Sequence, residues 1–371
     1  MKRKIAIVNG LIYTGVAVFD DKALLVYGDR IVDIIDDDVI PEEYERFDVD
    51  GNFVCAGLID LQIYGTGTDL FSAELTSESI KNIESKLLKQ GCTSFLLTLA
   101  TNTLDVFKQA VEVFKSTQAQ SALGLHLEGP FLNQKKRGAH PGELILEPTI
   151  ERLRSILEDD AGAVRMMTVA PERISQPCID YLLKKGILVS AGHSDASFDQ
   201  AYASFDRGIQ TVTHLWNAMS ALHHRNPGLP AACFNHPSVK ASIIVDGIHV
   251  DYNTVKISKA LLQDRLFLIT DAVAACDKDI YKHVLAKDHY ELEDGTLSGS
   301  ALSMLDAIKN CVRHVGIDLH EAIRMATLYP SNLIGRNDLG RLEPQAKANI
   351  LVFREDFTVE SVFFMGEEIA V

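Results

Sequence analysis

The chain has 371 residues, 47% of them hydrophobic and 23% charged, with 36 Lys and Arg against 51 Asp and Glu for a formal charge of −15. These proportions suit a packed globular protein and exclude disorder, collagen or coiled coil as the main architecture. The acidic balance argues against nucleic acid or an anionic membrane as partner, since both need a positive footprint, so an anionic ligand must find its counter-charge locally.

At the N-terminus, basic residues 2–4 precede an apolar run too short for a secretory signal core. No later stretch approaches the ~20 apolar residues of a spanning helix. The six cysteines (Cys55, Cys92, Cys178, Cys233, Cys276 and Cys311) are scattered without a Cys-x-x-Cys pair. That usage points to a reduced, cytoplasmic protein. Short β-type runs at 5–8, 23–26, 30–35 and 53–54 are punctuated by Gly28-Asp29-Arg30 and Asp50-Gly51-Asn52. The tail repeats the pattern at 348–353 and 359–365. One small β-sandwich domain built from both termini, 1–55 with 338–371, is therefore expected around a different middle, 56–337.

That middle carries apolar runs of strand length at 58–64, 93–99, 123–127, 164–170, 187–191, 211–216, 240–245 and 266–270. Amphipathic segments of helical period lie between most of them, at 77–90, 104–115, 174–185 and 251–262. Eight strands alternating with helices predict an α/β fold, a (β/α)8 TIM-like barrel. A doubly wound open sheet would carry a glycine-rich phosphate loop after its first strand, and Gly65-Thr66-Gly67 lacks the third glycine.

Reactive groups of such a barrel come from the C-terminal strand ends. Reading those ends gives Gln62, Glu128, His193, His214 and Asp271. One Glu and two His around an open fourth position is a catalytic zinc arrangement. One divalent ion per subunit is expected, zinc first, with iron or cobalt as alternatives that accept the same ligands. The ion would lower the pKa of water toward ~7, and Asp271 would take the water proton and deliver it to a leaving group. Each residue also has a plainer reading: a strand-end histidine usually packs, Glu128 could cap the loop at Gly129-Pro130, and Asp271 could be a helix N-cap. Their coincidence at one end of one barrel favours the metal site.

The segments Leu123-Gly124-Leu125-His126-Leu127-Glu128-Gly129-Pro130-Phe131, Lys136-Arg137-Gly138-Ala139-His140-Pro141, Gly192-His193-Ser194 and Thr213-His214-Leu215-Trp216-Asn217-Ala218-Met219 follow one another. His223-His224-Arg225-Asn226-Pro227-Gly228, Asp246-Gly247-Ile248-His249 and Leu297-Ser298-Gly299-Ser300 complete the series. In this order they resemble the N-acetylglucosamine-6-phosphate deacetylases of the amidohydrolase superfamily, over nearly the whole chain. The resemblance implies hydrolysis of an acetamide on a phosphorylated amino sugar, with metal ligands at Glu128, His193 and His214 and the acid/base at Asp271. It places sugar-phosphate contacts at Ala139, His140, Asn217, Ala218, Arg225, His249 and Leu297, and it implies a homodimer in which a neighbouring subunit lends phosphate contacts. Arg225 can fork onto a phosphate. His140 or His249 can donate to the acetyl oxygen as it gains charge.

Many amidohydrolases open the barrel with His-x-His, which holds a second metal. Here Gln62 and Tyr64 stand in those places. A neutral amide is a poor ligand beside imidazole, so a single ion is expected, with Gln62 in weak or water-mediated contact, and Tyr64 is read as a packing aromatic. His126 faces the same side as Glu128 but deeper and reads as a core histidine. His223 and His224 read as loop-shaping, and His236, His283, His289, His314 and His320 show no partner pattern. Two rival functions remain at this point: another amide hydrolase on the same scaffold, or an inactive sugar-phosphate sensor.

Overall fold

The computed structural model describes residues 3–160, 162–278 and 280–370. Eight parallel strands form its largest sheet: β1 (Leu58–Ile63), β2 (Cys92–Ala100), β3 (Ala122–Glu128), β4 (Val164–Val169), β5 (Leu188–Ala191), β6 (Thr211–Val212), β7 (Lys240–Ile243) and β8 (Leu266–Leu268). Each pairs with its sequence neighbour, in the order β8-β7-β6-β5-β4-β3-β2-β1. The sheet closes beyond β8: the Asp271 N–H donates to the Gln62 carbonyl at 3.0 Å, and the Tyr64 N–H to that of Ala272 at 2.9 Å. Helices alternate with the strands: α1 (Ser77–Lys89), α2 (Leu104–Ser116), α3 (Ile150–Leu157), α4 (Gln176–Lys184), α5 (Phe198–Asp206), α6 (Gly228–Asn235), α7 (Tyr252–Leu262) and α8 (Met304–Asn310). This is the expected (β/α)8 barrel.

Local chemistry explains the element starts. Thr103, Thr149 and Ser303 cap α2, α3 and α8 by accepting a backbone N–H, and Ser197 with Gln200 forms a reciprocal capping box on α5. The strands alternate with these helices as apolar runs buried on both faces, as a helix-wrapped parallel sheet requires. The sixth strand is shorter than the 211–216 run suggests. The Ser242 hydroxyl takes the His214 N–H at 2.8 Å and the Ser242 carbonyl that of Leu215 at 2.8 Å, while His214 and Trp216 adopt positive φ. The chain thus leaves the ladder just before His214.

The chain divides into two compact units, 1–60 with 85–94 and 303–371, and 61–84 with 95–302. In the first, Arg30–Asp36, Lys22–Tyr27, Lys4–Val8 and Glu45–Asp48 make a four-stranded sheet. A six-stranded sheet joins Glu367–Ile369, Val359–Phe364 and Ile350–Phe353 to Phe53–Ala56, Leu11–Tyr13 and Val18–Phe19. Ile350 pairs with Ala56 and Phe353 with Phe53, so the tail is stitched to the head. Ile5, Ile7, Leu24 and Val26 of one sheet share a core with Ile12, Val54, Ile350, Val352 and Phe363 of the other. This is the small β-sandwich built from both termini. No helix among the described residues is long and apolar enough to cross a membrane.

Candidate active site

The strand ends deliver their side chains to one place. Glu128 is the last residue of β3, His193 and His214 lie two residues past β5 and β6, and Asp271 lies three past β8. His193, His214 and Asp271 have φ of 47°, 33° and 55°, a region that costs a non-glycine residue about 1 kcal/mol or more. Neighbouring glycines make room for the curl. A Cβ on Gly192 would lie 2.6 Å from Thr168 Cγ2, and one on Gly129, at φ 88°, 2.1 Å from Thr101 Oγ1.

Glu128 Oε1 lies 3.1 Å from His214 Nε2 and 3.4 Å from His193 Nε2, and the two imidazole nitrogens are 3.1 Å apart. Donors bonded to one tetrahedral ion at about 2.0–2.1 Å stand about 3.4 Å from each other. Tautomers support the fit. The Lys136 carbonyl, an acceptor only, lies 3.0 Å from His193 Nδ1, so the proton sits there and the Nε2 lone pair faces the centre. Glu128, His140 and His193 also lie within the reach of one ion. Yet the Thr101 N–H donates to His140 Nδ1 at 3.3 Å, which places the His140 proton on Nε2, 3.2 Å from Glu128 Oε2. His140 is therefore set as a donor, and Glu128, His193 and His214 are the better cation set. Burial alone would push the Glu128 carboxyl up. The imidazoles of His193, His140 and His214 around it outweigh burial and hold it well below the usual carboxylate range.

The Gln62 amide nitrogen donates to Asp271 Oδ1 at 2.7 Å and to Glu128 Oε1 at 3.0 Å. With carboxylates as its neighbours the amide presents its NH₂, a donor, instead of an oxygen ligand. Tyr64 packs as expected, and beyond that its hydroxyl donates to Glu128 Oε2 and lies 3.1 Å from Gln62 Nε2. Burial first, then the Glu128 and Asp271 charges, hold its phenol well above the usual range.

A cavity of about 300 Å³ opens over these groups. Ala139, His140, Asn217, Ala218, His249 and Leu297 line it with Glu128, His193, His214 and Asp271, so six of the seven expected substrate contacts converge. Arg225 does not. It is exposed in the loop 221–226, where its guanidinium meets His224 Nε2 at 2.8 Å, and it lines a separate surface cavity with Lys136 and Asp195.

Sequence reasoning passed over Tyr281 and His283, which form part of the pocket wall. The Tyr281 hydroxyl lies 2.6 Å from the Thr101 carbonyl and 3.2 Å from His140 Nδ1. The His283 ring stacks on Tyr281, and burial pushes it down to about 4. Glu172 was missed as well. It accepts from Asn133 Nδ2, the Ser194 hydroxyl and the Asp195 N–H, each at 2.7 Å, and so fixes the loop that begins at His193. The Ala-Pro-Glu segment after β4 was the available signal. His126 is the core histidine expected, fully buried, with Nδ1 on the Leu61 carbonyl and Nε2 on Thr168.

Comparison with known proteins identifies the family. The amidohydrolase family model matches residues 53–369 and the NagA composite domain residues 5–54. The chain is 36% identical to the N-acetylglucosamine-6-phosphate deacetylase of Haemophilus influenzae, over 98% of this chain and 99% of that one. The crystal structure of the Pasteurella multocida N-acetylglucosamine-6-phosphate deacetylase superposes with a TM-score of 0.94 at 36% identity, over 99% of this chain and 100% of that one. A Mycobacterium smegmatis deacetylase variant, solved with N-acetyl-D-glucosamine-6-phosphate, also gives 0.94, at 27% identity over the whole of both chains. The barrel, the donor cluster and these likenesses together place the chain in the amidohydrolase family, among the N-acetylglucosamine-6-phosphate deacetylases.

Proposed function

We propose that this chain hydrolyses N-acetyl-D-glucosamine 6-phosphate to D-glucosamine 6-phosphate and acetate. The observation that carries the reading is the convergence of Glu128, His193 and His214 on one centre, with Asp271 reached through the shared Gln62 amide. A single divalent ion, zinc by its nitrogen and carboxylate donors with iron or cobalt as alternatives, would be held by those three residues. When bound it would supply Lewis acidity toward the acetyl oxygen and toward water. Asp271 removes the water proton as the new C–O bond forms, then returns it to the amide nitrogen as the C–N bond breaks. His140, with its proton on Nε2, donates to the acetyl oxygen as negative charge builds there. The other candidate, His249, has its Nδ1 tied to Asp246 at 2.5 Å.

The six remaining contacts hold the sugar phosphate. Arg225 stands outside its own chain's pocket, so it meets the phosphate from the neighbouring protomer of a homodimer. We place the enzyme in the cytoplasm, in keeping with six free cysteines. We draw the domain boundaries at 1–55 with 338–371 and at 56–337, counting α8 with the barrel because it completes the strand–helix alternation. Acetate release from N-acetylglucosamine 6-phosphate, before and after chelator treatment, tests the reading. Release that chelation abolishes and zinc restores is expected; none from the zinc-loaded protein removes the assignment. Arg225→Ala should raise KM about tenfold for the phosphorylated sugar alone, and an equal loss on the unphosphorylated sugar would remove its phosphate role.

A further inference from the structure

Tyr64 ends the first barrel strand's approach to the site, its ring buried with Leu70, Ala100, Val273, Tyr281 and Tyr290. Its hydroxyl has a single proton and two polar neighbours. Gln62 Nε2 has no lone pair to accept with, and its two protons serve Asp271 and Glu128, so the phenol proton goes to Glu128 Oε2. The same Oε2 lies 3.2 Å from His140 Nε2, whose proton turns to the acetyl oxygen in the reaction, so the Tyr64 hydroxyl is its standing donor. Oε1 faces His193 and His214 and lies 3.0 Å from Gln62 Nε2.

We propose that Tyr64 is a positioning residue whose hydroxyl ties down one oxygen of Glu128, so that this carboxylate meets the ion through the other oxygen alone. The proposal rests on the reading of Glu128, His193 and His214 as ligands. A carboxylate free to rotate can chelate through both oxygens and fill the position that water and substrate need. A hydrogen bond to the outer oxygen prevents that, and such outer partners typically change metal affinity about 10–100-fold.

The test uses the full-length enzyme loaded with zinc or with cobalt. Tyr64→Phe keeps the ring and removes the hydroxyl, so a purely packing role would leave metal binding untouched. The variant should bind zinc about tenfold or more weakly in competition with a chelator, and its cobalt form should lose visible absorbance as a fifth ligand enters. A wild-type affinity together with a wild-type cobalt spectrum overturns the proposal. Should Tyr64→Phe fail to fold, X-ray absorption of the wild-type zinc enzyme decides: one carboxylate oxygen near the ion supports the proposal, two overturn it. His214→Ala separates the two levels, since zinc held as tightly in that variant as in wild type would refute the ligand set itself.

Discussion

Two polar layers lie two residues apart on β3 and solve burial in opposite ways. In the lower layer the Leu61 carbonyl can only accept, so His126 carries its proton on Nδ1 and offers Nε2 to the Thr168 hydroxyl at 2.7 Å. Thr168 then accepts from Thr213 at 2.7 Å, and Thr213 from Ser190 at 2.5 Å. The chain runs in one direction and each of its hydroxyl protons has an acceptor. In the upper layer, Glu128 Oε1, His193 Nε2 and His214 Nε2 crowd one another at 3.1–3.4 Å, and His214 Nδ1 finds no hydrogen-bond partner among the described residues. The lower layer is complete with protein alone, whereas the upper one calls for a cation. The contrast teaches that burial of a histidine says little about function until its two nitrogens have been accounted for separately.

Breaking the upper layer should have the largest effect. Asp271→Asn keeps the shape but not the proton acceptor, and kcat should fall by about 10²-fold or more with bound metal unchanged by elemental analysis. Full turnover in that variant would detach Asp271 from the reaction. The lower layer should fail differently. His126→Leu strands the Leu61 carbonyl and should cost about 3 kcal/mol of unfolding free energy in denaturant titration, with metal content kept in the folded fraction. Loss of metal from a folded His126→Leu protein would erase the distinction between the layers.

A histidine of the pocket wall sharpens the comparison further. His283 is held neutral by burial, at about 4 against an ordinary value near 6.5. Between those values the unfolded chain binds a proton that the folded chain refuses, so stability is whole above pH 6.5 and declines as pH falls toward 4. The full window is worth at most about 3 kcal/mol. Chemical denaturation at pH 7.5 and 5 should show a smaller drop for His283→Gln than for the wild type. An identical drop would mean that His283 is already charged in the folded protein.

The barrel was legible because eight apolar runs and their intervening helical periods are local properties of the chain. The strand-end donors were legible because the fold assigns strand ends to one face. The motif names Arg225 as a residue type, and only coordinates reveal that the loop 221–226 carries it away from its own chain's pocket. Tyr64 was taken for packing because its ring does pack; its hydroxyl bond to Glu128, 64 residues away, leaves no trace in periodicity. Tyr281 and His283 precede a small antiparallel sheet, Val284–Ala286, His289–Glu291 and Leu297–Ser300, inserted after β8. No repeat announces such an insertion, so of the wall it builds only Leu297 was anticipated, and that from the resemblance.

The seam between Gln62 and Asp271 has a consequence for how activity is gained during synthesis. The first stave of the barrel leaves the ribosome some two hundred residues before the last, and the backbone bond between these two residues joins them. A nascent polypeptide that has not yet reached Asp271 has neither the bond nor the proton acceptor. On the role proposed for Asp271, turnover reports that the ring has shut, and products truncated before that residue are silent.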